Sequence, residues 1–215
     1  KIIPKPLVKV GNKPILLHII NYYKKFGIKN FIIATGYKGI LIKKYFEKKQ
    51  FKKLNIQIID TGLNTLTGGR LLRLKKYLFD QQNFMLTYGD GLSDVDLNKS
   101  LKFHLRHKKV ATLTAVRPPV RFGELSLKVN DVTQFREKLQ SKSGWINGGY
   151  FIFNKKIFLY LKKDSEMLEK EPMSLLVKKK ELKAYKHNGF WQCMDTMRDK
   201  KYLNDILKRK KAKWI

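Results

Sequence analysis

Apolar residues recur along this chain at two spacings, and the spacings alternate. Leu16, Ile19, Ile20, Tyr23 and Phe26 fall every three to four positions, the stripe of an amphipathic helix. Pro14 suits the first turn of that helix, and Gly27 suits its end. The compact run Ile28 to Thr35 then reads as a strand. Gly39 to Lys48 predicts a second helix and Asn55 to Asp60 a second strand. Gly68 to Leu78 predicts a helix with Leu71, Leu72, Leu74 and Leu78 facing inward. Asn83 to Tyr88 is a third strand and runs straight into Gly89-Asp90-Gly91. Asp96 to His107 predicts a helix capped by Asp94 or Asp96, and Val110 to Val116 a fourth strand.

Beyond that point the pattern changes. Leu125, Leu127 and Val129 alternate with polar residues, and Val132 to Arg136 follows after an Asn130-Asp131 turn, which reads as a hairpin. Gly148 to Phe153 predicts a strand, Ile157 to Leu161 a helix and Pro172 to Lys179 another. Leu182 to Tyr185 is a short strand and Asp199 to Lys211 a closing helix. Repeated helix–strand units imply an α/β fold: a Rossmann-like, mostly parallel sheet flanked by helices, with a small antiparallel C-terminal region. The pattern contains no repeat and no linker, so residues 1–215 read as one domain.

Composition narrows the class. The chain is 43% hydrophobic, enough for a packed core. Its longest apolar runs are far short of the roughly 20 residues that cross a bilayer. The single cysteine, Cys193, excludes an internal disulfide framework and a multi-cysteine zinc site. A reducing, cytoplasmic setting is the expectation. Charge pulls in another direction: 47 Lys and Arg against 17 Asp and Glu give a net +30. The lysines are scattered in pairs and triples, without a basic tail or a basic-aromatic repeat, so nucleic acid is not the expected partner. An anionic, phosphate-rich small substrate fits the charge.

In a parallel sheet, ligands bind beyond the carboxyl ends of the strands, and Asp90 is delivered there on its Gly-Asp-Gly corner. A carboxylate so placed is either a magnesium ligand or a capped turn. Asp195, in an aromatic-rich stretch before the last helix, is either a second metal carboxylate or, with Thr196, a helix cap. Thr67-Gly68-Gly69-Arg70 opens a helix, where backbone amides favour phosphates or polar base edges; glycine pairs also mark plain turns. Lys5, between Pro4 and Pro6, is a stiffly held cation or a solvated loop lysine. Asn147-Gly148-Gly149 before a strand is a bend or a ligand contact. His18, His104, His107 and His187 lack metal spacing and read as structural. Cys193 has no histidine partner motif for a nucleophile.

The ordered set of motifs resembles the sugar-1-phosphate nucleotidyltransferase family, in its cytidylyl branch. It runs from Pro4-Lys-Pro-Leu-Val8 and Gly11-Asn-Lys-Pro-Ile-Leu16 through Gly36-Tyr-Lys-Gly39, Asp60-Thr-Gly62 and Thr67-Gly-Gly-Arg-Leu71. It continues with Thr87-Tyr-Gly-Asp-Gly91, Arg121-Phe-Gly123, Glu137-Lys138, Ile146-Asn-Gly-Gly149, Glu171-Pro172, Gly189-Phe-Trp-Gln192 and Met194-Asp-Thr-Met-Arg-Asp199. The resemblance implies that CTP and α-D-glucose 1-phosphate give CDP-glucose and pyrophosphate, with Mg²⁺ held by Asp90 and Asp195. It implies that Lys5 neutralises phosphate and that Lys138 holds the sugar phosphate. Thr67, Gly68, Gly69, Arg70, Tyr88 and Gly89 would lie at the nucleotide, with Tyr88 also close to the sugar, and Asn147, Gly148 and Glu171 at the sugar. It further implies a homo-oligomer serving polysaccharide assembly.

There are departures. The family opens with a strand and a Gly-Gly-x-Gly-Thr-Arg loop that wraps the triphosphate. No such loop occurs among these residues, and the expectation is that it precedes Lys1 in the natural chain. The segment Glu47 to Leu54 is shorter than the family's excursion there. Leu139 and Cys193 stand where the family has proline.

Overall fold

The structure, a computed structural model, describes residues 3–48, 51, 54–118, 124–136 and 144–215. In chain order its elements are β1 (Lys9–Val10), β2 (Lys13–Pro14), α1 (Ile15–Lys25), β3 (Asn30–Thr35), α2 (Gly39–Phe46), β4 (Asn55–Asp60), α3 (Thr67–Arg73), α4 (Lys75–Leu78), β5 (Asn83–Thr87) and β6 (Gly91–Ser93). There follow α5 (Leu97–His107), β7 (Ala111–Val116), β8 (Glu124–Lys128), β9 (Asp131–Arg136), β10 (Ile146–Asn154), α6 (Glu171–Lys178), β11 (Leu182–His187), β12 (Trp191–Cys193) and α7 (Met197–Lys208). Short 3-10 turns occupy Lys5–Leu7 and Lys155–Leu159.

The α/β class stands, and the sheet is mixed. β11, β7, β10 and β5 lie in that order; β11 runs parallel to β7, while β10 is antiparallel to both its neighbours. β3 and β4 form a separate parallel pair, and β8 and β9 the expected hairpin. Antiparallel pairing therefore reaches further into the sheet than the helix–strand alternation predicts. Periodicity reports which face a strand buries and not which way its neighbour runs.

Two predicted helices come out differently. The one expected over Gly68 to Leu78 breaks at Leu74, which is buried and whose amide is shared between Arg70 and Leu71 carbonyls. The one expected at Ile157 is a 3-10 turn starting earlier, capped by Asn154, whose side chain accepts from the Lys156 amide at 3.0 Å. Asp96, and not Asp94, caps α5 by accepting from the Lys99 amide at 2.9 Å.

α1 is the central post. Ile15, Ile19, Tyr22 and Tyr23 pack with Leu92, Val95, Trp191, Leu203 and Trp214, while Leu16, Leu17 and Ile20 pack with Ile42, Phe46 and Phe51 on the β3–β4 side. Burial of each such side chain contributes about 1.5–3 kcal/mol, so packing holds this isoleucine-rich helix where propensity would not. His18 on the same helix is buried. Trp214 Nε1–H donates to its Nδ1 at 3.3 Å, which leaves its Nε2–H to donate to the Val10 carbonyl at 2.9 Å.

A second histidine chain ties α5 to the sheet. The Lys109 amide donates to His107 Nδ1, so His107 Nε2–H donates to Thr112 Oγ1 at 2.7 Å. The Thr112 hydroxyl passes its hydrogen to His104 Nδ1 at 2.8 Å, and His104 Nε2–H donates to Asn83 Oδ1 at 3.2 Å. Every ring nitrogen is used once, in one direction, and only neutral rings satisfy it. Burial, and then the neighbouring His107, push His104 down to about 4. Burial also lowers His107 and His18.

These folded values lie below the ordinary 6.5, so the unfolded chain binds more protons at mild acidity. Stability should be complete above pH 6.5 and should fall as pH drops toward 4. Thermal melts across that interval check it, and His104→Asn should flatten the slope. A melting temperature indifferent to pH there would remove the histidines from this account.

Candidate active site

Two strands of three residues assemble the site. β6 pairs antiparallel with β12, Gly91 opposite Cys193 and Ser93 opposite Trp191. The Met194 amide donates to the Asp90 carbonyl at 2.9 Å and extends the ladder by one step. Asp90 and Asp195 therefore emerge side by side. Tyr150 OH donates to the Gly91 carbonyl and Trp191 Nε1–H to the Gly148 carbonyl, which fastens this ladder to β10.

The helix cap next to Asp195 is filled by Thr196. Thr196 Oγ1 accepts from the Asp199 amide, and the Asp199 carboxylate accepts from the Thr196 amide, a reciprocal capping box. The Asp195 carboxylate is thereby left out of the cap. Lys5, on its proline-bounded 3-10 turn, reaches both acids: Nζ donates to Asp90 Oδ2 at 2.6 Å and to Asp195 Oδ1 at 2.5 Å. Burial by itself would lower the Lys5 pKa, but the hydrogen bonds to Asp195 and Asp90 carry it above the ordinary lysine value.

Beside this triangle lies a cavity of about 220 Å³, lined by Tyr88, Asp90, Asn147, Gly148, Gly149, Trp191 and Asp195 among others. Gly149 has φ +73°, and a Cβ there would stand 2.7 Å from the Tyr88 ring, so only glycine fits. The Gly149 amide is held by Asn147 Oδ1 at 2.8 Å. A larger cavity, about 550 Å³, opens at the other end of the strands around Asn83, Lys109, Asn154 and Glu181. The paired carboxylates, and not cavity size, make the smaller one the candidate site.

The Thr67 region is arranged differently from a bare helix N-terminus. The Gly68 and Gly69 amides donate to the Glu166 carbonyl at 2.9 and 3.2 Å, and the Leu66 amide to the Asp164 carbonyl at 3.0 Å. A Cβ on Gly69 would collide with the Asp164 backbone. These glycines let the 162–170 segment lie against α3. Arg70 Nη1 donates to the Thr35 carbonyl at 2.8 Å and to Thr61 Oγ1 at 2.6 Å, pinning the ends of β3 and β4 together. Glu171 opens α6 and is exposed. Lys138, with Glu137, Leu139 and the Arg121-Phe-Gly123 motif, lies outside the described residues.

Sequence reasoning missed Glu169. Its carboxylate accepts from Tyr88 OH and, at 2.6 Å, from Thr67 Oγ1–H. No local pattern announces it, because its partners are remote in the chain.

The donor set suits magnesium. Two carboxylates already grip one ammonium at 2.5–2.6 Å, which makes the place between them a cation site with hard oxygen ligands. Among the described residues no cluster of three or more His, Cys, Asp or Glu could hold a metal. No helix among the described residues is long and apolar enough to cross a membrane.

Comparison with known proteins follows the same line. The family profile described as "Nucleotidyl transferase" matches residues 1–201. The glucose-1-phosphate cytidylyltransferase of Salmonella typhimurium is 41% identical, covering 98% of this chain and 90% of its own length. The D-glycero-alpha-D-manno-heptose 1-phosphate guanylyltransferase of Campylobacter jejuni is 35% identical over 74% of this chain and 70% of its own. Among solved structures, HddC from Yersinia pseudotuberculosis complexed with GMP-PN superposes with a TM-score of 0.76 at 23% identity, covering 95% of this chain and 90% of its own, a likeness of fold.

Cys193 sits among these acids. Its Sγ–H donates to Asp195 Oδ2 at 3.0 Å, and burial, then that hydrogen bond, push the thiol up to about 12. The thiolate fraction in the folded protein is then roughly a thousandfold below that of an unfolded thiol with a pKa near 9.0. Labelling with a thiol-selective disulfide reagent at pH 8 should be slow in the native protein and fast in urea. Equal rates would contradict the raised pKa of this half-buried thiol.

Proposed function

The chain belongs to the nucleotidyl transferase family and is a sugar-1-phosphate nucleotidyltransferase; on that premise we propose that it joins CTP to α-D-glucose 1-phosphate, giving CDP-glucose and pyrophosphate. Residues 1–215 act as one nucleotidyltransferase domain in this reading. The observation that carries it is the Lys5 ammonium set between Asp90 and Asp195 at the mouth of the Tyr88–Asn147 cavity.

The chemistry asks little of a general base. A phosphate oxygen of the sugar phosphate attacks the α-phosphorus of the triphosphate, the bond to the β-phosphate breaks in line, and pyrophosphate leaves with the electron pair. The attacking oxygen is already anionic, so the obstacle is repulsion between two polyanions and their alignment. Asp90 and Asp195 are the residues that hold Mg²⁺ in this scheme. A bound Mg²⁺ supplies charge neutralisation at the phosphates. Lys5 contributes a second positive charge from a stiff turn, next to the same phosphates. Tyr88, Asn147 and Gly148 line the sugar pocket, and Gly149 lets Tyr88 lie flat along it. Lys138 is the proposed partner of the sugar phosphate. Thr67 and Arg70 stand on the nucleotide side, with Arg70 acting by pinning the ends of β3 and β4 that frame it.

Base choice rests on the cytidylyl character of the motifs and on the 41% identical Salmonella typhimurium enzyme. Pyrophosphate release should occur with CTP and glucose 1-phosphate, and be far weaker with the other three triphosphates. Release with GTP and another sugar phosphate instead would keep the chemistry and overturn the specificity. Asp90→Asn and Asp195→Asn should each lower kcat on the order of 10²–10³-fold while the far-UV spectrum stays unchanged. Full activity in either variant would remove the carboxylate pair from the mechanism.

A further inference from the structure

The 162–170 segment is built against the start of α3, and its Glu169 bonds both Thr67 on α3 and Tyr88 just after β5. Thr67 Oγ1 accepts from the Leu168 amide at 2.9 Å, so the hydroxyl hydrogen of Thr67 is directed to Glu169 Oε2 at 2.6 Å. The other oxygen, Oε1, takes the hydroxyl hydrogen of Tyr88. Tyr88 lines the small cavity and rests on Gly149; Glu169 and Thr67 do not line it.

One half-buried carboxylate thus ties a residue assigned to the nucleotide side to a residue assigned to the sugar side. We infer that Glu169 is a positioning residue that fixes the orientation of Tyr88 over the sugar pocket and couples it to Thr67 at the nucleotide side. This rests on the function proposed above. Glu169 acts through the two hydroxyls it holds, and Glu171, two positions on, is exposed on α6 and has no part in the clamp. Charge-assisted hydrogen bonds of this kind are about twice as strong as neutral ones, so loss of the acceptor releases both hydroxyls at once. Tyr88 then samples rotamers that do not match the substrate, and the cost falls on binding of the sugar phosphate before it falls on the chemical step.

The test compares Glu169→Ala, Glu169→Gln, Tyr88→Phe and the Glu169→Ala/Tyr88→Phe pair. The KM for the sugar 1-phosphate should rise about tenfold to a hundredfold in Glu169→Ala, with kcat changing much less, and Glu169→Gln should recover part of it. Adding Tyr88→Phe to Glu169→Ala should cost little more, because the two act as one unit. In parallel, ¹³C-tyrosine NMR of the substrate-free protein should show the Tyr88 resonance, identified by its loss in Tyr88→Phe, shifting in Glu169→Ala. That reading needs no turnover. A wild-type protein without pyrophosphate release, but with the Tyr88 shift, would sink the proposed function and keep the clamp. Unchanged KM in Glu169→Ala, additive effects in the pair, or an unmoved Tyr88 resonance would overturn the inference. So would a uniform loss of kcat and of both KM values alongside a lowered melting temperature.

Discussion

Two carboxylates from remote parts of a chain can share one cation only if something fixes the distance between them. Here that constraint is the pairing of Gly91–Ser93 with Trp191–Cys193, three residues against three, continued by the Met194 amide on the Asp90 carbonyl. So short a ladder is not stable by itself. It is held because Leu92 and Trp191 are buried in the cluster around α1, and because Tyr150 and Trp191 bond it to β10. The packing of α1 is thus a condition for the chemistry: loosening that core would let Asp90 and Asp195 drift apart before the fold itself is lost.

The second constraint is the 162–170 segment. It lies on α3 through backbone bonds that need Gly68 and Gly69, and through Arg73, whose Nε donates to Asp164 at 2.9 Å. The Thr-Gly-Gly-Arg motif is in this light largely an internal docking surface. Thr67 and Arg70 spend their polar groups on Glu169, Thr35 and Thr61.

Long, strongly periodic elements were legible in the sequence. The α1 stripe and the Asn55–Asp60 strand fall where spacing puts them, and the hairpin arm expected from Val132 begins one residue earlier, at Asp131. So were Asp90, Asp195 and Lys5 as candidates, because a strand end, a pre-helix aspartate and a proline-bounded lysine are local signals. What brings them together is not local. The Thr196 cap is itself a local signal, since Asp199 lies three residues on, but β12 pairs with residues remote in the chain, and three-residue strands are too short to show a period. Glu169 was invisible for the same reason, while Glu171 stood out through its motif. The directions of strands in the sheet were also beyond reach, since burial pattern is the same for parallel and antiparallel neighbours.

Lys5 has one more consequence. Two facing carboxylates ordinarily repel each other, and many sites built from such groups fold only when an ion is bound. Here the protein carries its own counter-ion. One ammonium from the same chain bonds both aspartates and offsets one of their two negative charges. The geometry of the pair is thus set by the chain itself and does not wait on a ligand to form.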